Sequence, residues 1–182
     1  DFDGALTSVV SSYLPTVMPV NSEGQRGEWY PGDSLLFVGV SDEELATPDV
    51  ASEIEGIRAA WPGGRIDELL EEAATANRIA TEVGRHTLLH VAAHGTGSAE
   101  SPTGAGFRLK DNVFTWAELA QCEAPGGRLA VFLTCDAAAG NAEAPNEALH
   151  LAASAQQAGF QDVVATLMPL RESSTAYAVA AI

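Results

Sequence analysis

Cysteine is scarce in this chain, which holds only Cys122 and Cys135 among 182 residues. Two cysteines make no disulfide framework, and they fit a reducing compartment, so a cytoplasmic location is expected. Positive charge is scarce too: nine Lys and Arg stand against twenty-five Asp and Glu, for a net charge of −16. Such a surface repels phosphate backbones and anionic lipid, which argues against nucleic acid and membranes as partners. No apolar run approaches the ~20 residues that a membrane span needs. Internal repeats and low-complexity tracts are also missing. No Gly-x-Ser-x-Gly nucleophile elbow occurs, which removes the serine-hydrolase reading that His94-Gly-Thr-Gly97 would otherwise invite.

What the chain does have is a set of short apolar runs. Arg128-Leu-Ala-Val-Phe-Leu-Thr-Cys135 follows the turn Pro125-Gly126-Gly127. It has the near-continuous apolarity of a strand buried on both faces of a parallel sheet. Leu35–Val40, Thr87–Ala93 and Asp162–Leu167 are further buried strands, and a weaker one falls within Arg65–Leu70. Between them, helical spacing marks Val50–Trp61, with Ser52 and Glu55 set as a capping box. Thr75–Val83, closed by Gly84, and Asn146–Ala158, ended by Gly159, are further helices. Phe107–Lys110 and Val113-Phe114 flank Asp111-Asn112 as a hairpin, and Thr115 with Glu118 forms a capping box for a short helix. Strand and helix in alternation predict a parallel sheet covered on both faces. Residues 1–34 are the exception, an extension expected to be loosely structured. The chain opens at Asp1 and stops at Ile182 inside a helical pattern, so residues 35–182 are expected to form one domain, truncated at its C-terminus, of a longer protein.

Two reactive side chains fall at strand ends. Cys135 closes one apolar run, and His94-Gly95 follows another, at the sheet edge where open α/β folds bind ligands. His90 and His94 have the His-x-x-x-His spacing of some zinc sites, but on a strand and without the adjacent Glu. His90 is therefore expected to be structural, with a buried hydrogen bond. No metal or cofactor is expected, and Cys122 reads as a packing residue.

Leu89-His90-Val91-Ala92-Ala93-His94-Gly95 resembles the His-Gly signature of CHAT domains, a bacterial branch of the caspase-like and separase-like cysteine peptidases. Leu133-Thr134-Cys135-Asp136 resembles the family's cysteine block, and Gly159–Glu172 its closing strand. Ser52-Glu53-Ile54 and Ala74-Thr75 sit where the family carries its Glu-rich helix and Ala-Thr cap. Met168, Glu172 and Thr134 depart from the residues usual at their positions. The resemblance implies a caspase-like three-layer α/β/α sandwich with a mostly parallel central sheet. It implies a cysteine endopeptidase in which Cys135 is the nucleophile and His94 the acid/base. Backbone N–H groups of Gly95 and Cys135 would form the oxyanion hole, since glycine lets the backbone come close. It implies protein or peptide substrates and regulatory domains elsewhere in the parent chain. The alternative is a catalytically silent signalling or scaffold module.

Substrate preference falls to two acidic residues. Glu172 follows the strand after the cysteine block, where related separase-like enzymes hold an acidic residue and cut after Arg. It serves either to bind a basic P1 side chain or to favour the N-terminus of the last helix. Asp136 is likewise a candidate for substrate binding, for tuning the thiol, or for capping the next segment. None of the eight arginines lies beside the two motifs in sequence.

Overall fold

The computed structural model describes residues 32–41, 50–61, 64–96, 104–132 and 145–165, the first six residues of the last stretch in backbone only. Its centre is five parallel strands in the order β2-β1-β3-β7-β8. These are β1 (Leu35–Gly39), β2 (Ile66–Leu70), β3 (Leu88–Ala92), β7 (Leu129–Phe132) and β8 (Asp162–Ala165). A second, antiparallel sheet holds β4 (Gly95–Thr96), β5 (Gly106–Arg108) and β6 (Val113–Thr115) in that order. The helices are α1 (Val50–Ala60), α2 (Ala76–Val83), α3 (Trp116–Ala120) and α4 (Pro145–Ala158), with a 3₁₀ turn at Glu71–Ala73.

Every residue of β1 and β3 is buried. That is why both read as unbroken apolar runs, since each face of each strand meets a helix layer. Leu35, Phe37, Leu88 and Ala92 turn to one face, under Val50, Ile54 and Ile57 of α1. Leu36, Val38, Leu89, Val91, Ala130 and Phe132 turn to the other, under α2, α3 and α4. The result is the expected α/β/α sandwich. Among the described residues no helix is long and apolar enough to cross a membrane.

The outer strands differ from the sequence reading. β8 was expected to be buried, yet Asp162 and Val164 are exposed and Val163 and Ala165 only half-buried. It is an outer strand among the described residues, with only β7 beside it. β2 is the other outer strand among the described residues, and its acidic residues have partners there: Glu68 with Arg58, and Asp67 with Arg65 and His86. The capping box at Ser52 is not formed as predicted, because α1 begins at Val50 and Ser52 is already its third residue. Thr75 does cap α2, accepting from the Arg78 N–H. Thr115 and Glu118 form the predicted capping box of α3.

Among the described residues, a buried polar contact joins two layers of the sandwich. Glu53 of α1 is 2% exposed, and its Oε1 meets Nε2 of the equally buried His90 on β3. His90 also stacks on Phe37 of β1, with ring centroids 5.3 Å apart. The buried hydrogen bond predicted for His90 is thus made by a residue whose charge would suit a solvated helix face.

α4 ends at Gly159, whose φ is +123°. The Phe160 N–H donates to Ala155 O and the Gly159 N–H to Gln156 O, which closes the last turn in the manner of a Schellman motif. A Cβ at Gly159 would lie 2.3 Å from Ala124 O. Gly159→Ala is therefore expected to cost about 2 kcal/mol and to lower Tm by about 4–8 °C. Gly126→Ala, whose Cβ would meet nothing within 4 Å, should leave the melting curve in place. Equal melting of the two variants would contradict this account of the α4 terminus.

Candidate active site

The chain passes from β1 to one neighbour, β2, then crosses back to β3 on the other side of β1. The switch point of this sheet therefore lies between the carboxyl ends of β1 and β3, where ligand crevices form in open α/β folds. His94 stands at that place, two residues beyond β3 and 3% exposed. A cleft of about 230 Å³ opens beside it, lined by Val40, Ser41, His94, Arg108, Leu109 and Lys110.

The small antiparallel sheet fixes the backbone around His94. Gly95 pairs with Phe107 and Thr96 with Gly106, and the Arg108 N–H donates to His94 O at 2.7 Å. Phe107 anchors this sheet to the core by an edge-on contact with Trp116 at 4.6 Å and a stack on Phe132 at 5.4 Å. Phe132 is the last residue of β7. The strand leading toward Cys135 and the hairpin behind His94 therefore share one aromatic cluster.

Two of the lining residues, Ser41 and Lys110, are joined by a carboxylate clamp. Glu71, directly after β2, accepts from the Ser41 hydroxyl at 2.6 Å and from the Ser41 N–H at 3.2 Å. Its other oxygen pairs with Lys110 Nζ at 3.1 Å, and Lys110 also donates to Ser41 O at 2.7 Å. Burial would raise the Glu71 pKa, but the hydrogen bonds from Ser41 and Lys110 outweigh it and hold the carboxyl below the ordinary value. Glu71 has φ +49°, a left-handed backbone rare for a residue with a side chain. Such strain persists where surrounding contacts over-determine it, and these bonds do so here.

Of the residues predicted for the site, His94 and Gly95 are described, and His94 lines the cleft. Cys135, Asp136 and Glu172 lie outside the described residues. His90 does not join His94 as a metal ligand, being engaged with Glu53 inside the sandwich. Cys122 is a packing residue as expected. It is 8% exposed and its Sγ–H donates to Glu118 O. Burial, aided by the nearby Glu118 charge, pushes its thiol pKa up, away from reactivity.

Among the described residues a possible set of metal ligands exists at the opposite edge of the sheet, in Asp67, Glu82 and His86. Their charges are already balanced by Arg65 and Arg85 and by the hydrogen bond between His86 and Asp67. Sequence reasoning missed Ser41, Glu71, Arg108 and Lys110. Arg108 lies 14 residues beyond His94 (108 − 94), and only the fold of the hairpin brings it to the histidine.

A parallel sheet of this strand order, covered on both faces and ending in His-Gly at its switch point, defines a protein of the caspase-like fold class. The sequence model of the CHAT domain family matches residues 6–182. The chain belongs to that family. No curated protein matches it.

The clamp has a pH signature. Because the Glu71 pKa is depressed on folding, its stabilisation is complete above the ordinary carboxyl value of 4.5 and is lost as pH falls through the lower folded value. Glu71→Gln should lower stability at pH 7 by about 1 kcal/mol, given the partial solvent screening at this site. The two proteins should converge in urea unfolding toward pH 3. A gap that stays constant with pH would mean that the charge of Glu71 contributes nothing.

Proposed function

We propose that the protein is a cysteine endopeptidase working through His94 and Cys135. The observation that carries this reading is strand register. Val91 of β3 pairs with Phe132 of β7, and His94 and Cys135 each lie three residues further on (94 − 91 and 135 − 132). Neighbouring strands run ~4.8 Å apart, so equal steps along both favour an imidazole and a thiol at one height on one edge.

In this mechanism His94 takes the Cys135 proton, and the thiolate attacks the scissile carbonyl carbon. The N–H groups of Gly95 and Cys135 receive the developing oxyanion. The tetrahedral intermediate collapses to a thioester as the C–N bond breaks, and the imidazolium gives its proton to the leaving amine. Water then attacks the thioester carbonyl as His94 accepts its proton, the C–S bond breaks to release the carboxylic acid, and the imidazolium returns the proton to the Cys135 thiolate. A thiol nucleophile suits a reducing, cytoplasmic setting. Glu172 is the proposed partner of a basic P1 side chain, with Asp136 beside the nucleophile, and the substrates are proteins or peptides. Regulatory segments elsewhere in a longer parent chain would supply the trigger.

Cys135→Ala and His94→Ala should each reduce cleavage of a positional peptide library by at least ~10³-fold without changing the circular dichroism spectrum. A thiol alkylator should modify Cys135 ahead of Cys122, and a chelator should have no effect. Cleavage that survives Cys135→Ala would overturn the mechanism. Glu172→Gln should raise KM for Arg and Lys substrates and leave alkylation unchanged.

A further inference from the structure

Lys110 is the only lysine among the 182 residues, and it lines the cleft beside His94. Its ammonium is engaged twice, by Glu71 Oε2 at 3.1 Å and by Ser41 O at 2.7 Å. We propose that Lys110 and Glu71 are positioning residues for His94, and that their paired charges set where its imidazole stands. This proposal rests on the Cys–His peptidase reading for what the imidazole then does.

The bonds around the cleft close into a circuit. Lys110 Nζ donates to Ser41 O, and the N–H of the preceding Val40 donates to Ala92 O at 2.9 Å. Two residues further on (94 − 92) is His94, whose carbonyl accepts from the Arg108 N–H at 2.7 Å. Two more residues along the hairpin (110 − 108) return the path to Lys110. Every residue that lines the cleft lies on this circuit. Two of its three hydrogen bonds join main chain to main chain, so the lysine supplies the one link that a side chain makes.

That link fixes a direction that packing does not. Phe107 and Leu109 are buried and hold the hairpin down on the core. Apolar burial has no preferred direction, whereas an ammonium shared between a carboxylate and a carbonyl admits few placements. Glu71 strengthens the link at its far end, since its other oxygen accepts from the Ser41 hydroxyl at 2.6 Å. The backbone takes a φ of +49° at Glu71 to bring that carboxylate there, and strain of this kind gathers at functional sites. Any slide of the hairpin carries the Arg108 N–H with it, and so moves the His94 backbone. Proton transfer by the imidazole needs hydrogen-bond geometry, which leaves little room for such a slide.

A single lysine makes a chemical experiment selective. Acetylation of the intact chain removes the Lys110 charge, whereas guanidination keeps a cation with its donors. Lys110→Arg protein acetylated in parallel accounts for the N-terminal amine. In the acetylated chain and in Lys110→Met, the Arg108 amide should exchange about fivefold faster, with Leu89 and Val91 unchanged. Ring resonances of His94 should move while those of His86 and His90 stay. In library cleavage kcat should fall about tenfold, with KM within about twofold of the wild type. Glu71→Ala should behave as Lys110→Met does, and the guanidinated chain and Lys110→Arg should behave as the wild type.

Arg108 exchange and His94 resonances that stay unchanged in Lys110→Met would overturn the proposal. Equal effects of acetylation and guanidination would do so too, since charge would then be irrelevant. A rise in KM with kcat intact would make Lys110 a substrate contact and not a positioning residue. The two readings fail separately. A wild type that cleaves no library member would refute the peptidase, and the exchange and resonance measurements would still decide the role of the clamp. Cleavage that depends on Cys135 but is indifferent to Lys110 and Glu71 would do the reverse.

Discussion

The contact on which the site most depends is buried between α1 and the sheet. A carboxylate and an imidazole removed from water are costly unless each compensates the other. Glu53 and His90 do so, inside a layer otherwise built from aliphatic and aromatic side chains. Because a buried polar pair has few acceptable geometries, it fixes the position of α1 along β3 more narrowly than packing alone. His90 lies four residues before His94 on the same run of chain (94 − 90). The stack on Phe37 ties it to β1 as well, so the pair steadies both strands whose ends border the cleft.

From that anchored strand the chain enters a more polar region. Hydrogen bonds from the hairpin hold the backbone at His94, and the clamp at Glu71 joins the ends of β1 and β2 to the same hairpin. Aromatic packing of Phe107 against Trp116 and Phe132 places this assembly on the sheet face to which Phe132 of β7 turns. The site is thus braced by charge at its rim and by packing beneath. Each brace comes from a different part of the chain.

The sequence revealed those features whose cause is local. Leu35–Gly39 and Leu88–Ala92 declare themselves because strands buried on two faces must be apolar throughout. The box of Thr115 and Glu118 could be read because its partners are three residues apart, and the β5–β6 hairpin because its turn residues lie between its strands. The same rule misled at Ser52, where the spacing is right but α1 has already begun. It also misled at β8, whose apolar composition does not reveal how many neighbours it has. Ser41, Glu71 and Lys110 left no local trace, since they meet across 30 and 69 positions of sequence. His94 and Gly95 were legible because a motif spells them out, whereas the cations beside them were not.

The clamp also bears on how such a protein can change over generations. Its members sit on strand ends and a hairpin, with Lys110 exposed and Ser41 and Glu71 half-buried. The side chains that hold the sheet together lie one layer below. Substitutions at the rim can therefore change the shape and charge of the cleft without opening a cavity in the core, where the loss of a large side chain costs about 2–5 kcal/mol. The polar rim and the apolar layer beneath it are separate sets of residues, and a change in the first costs the fold less than a change in the second.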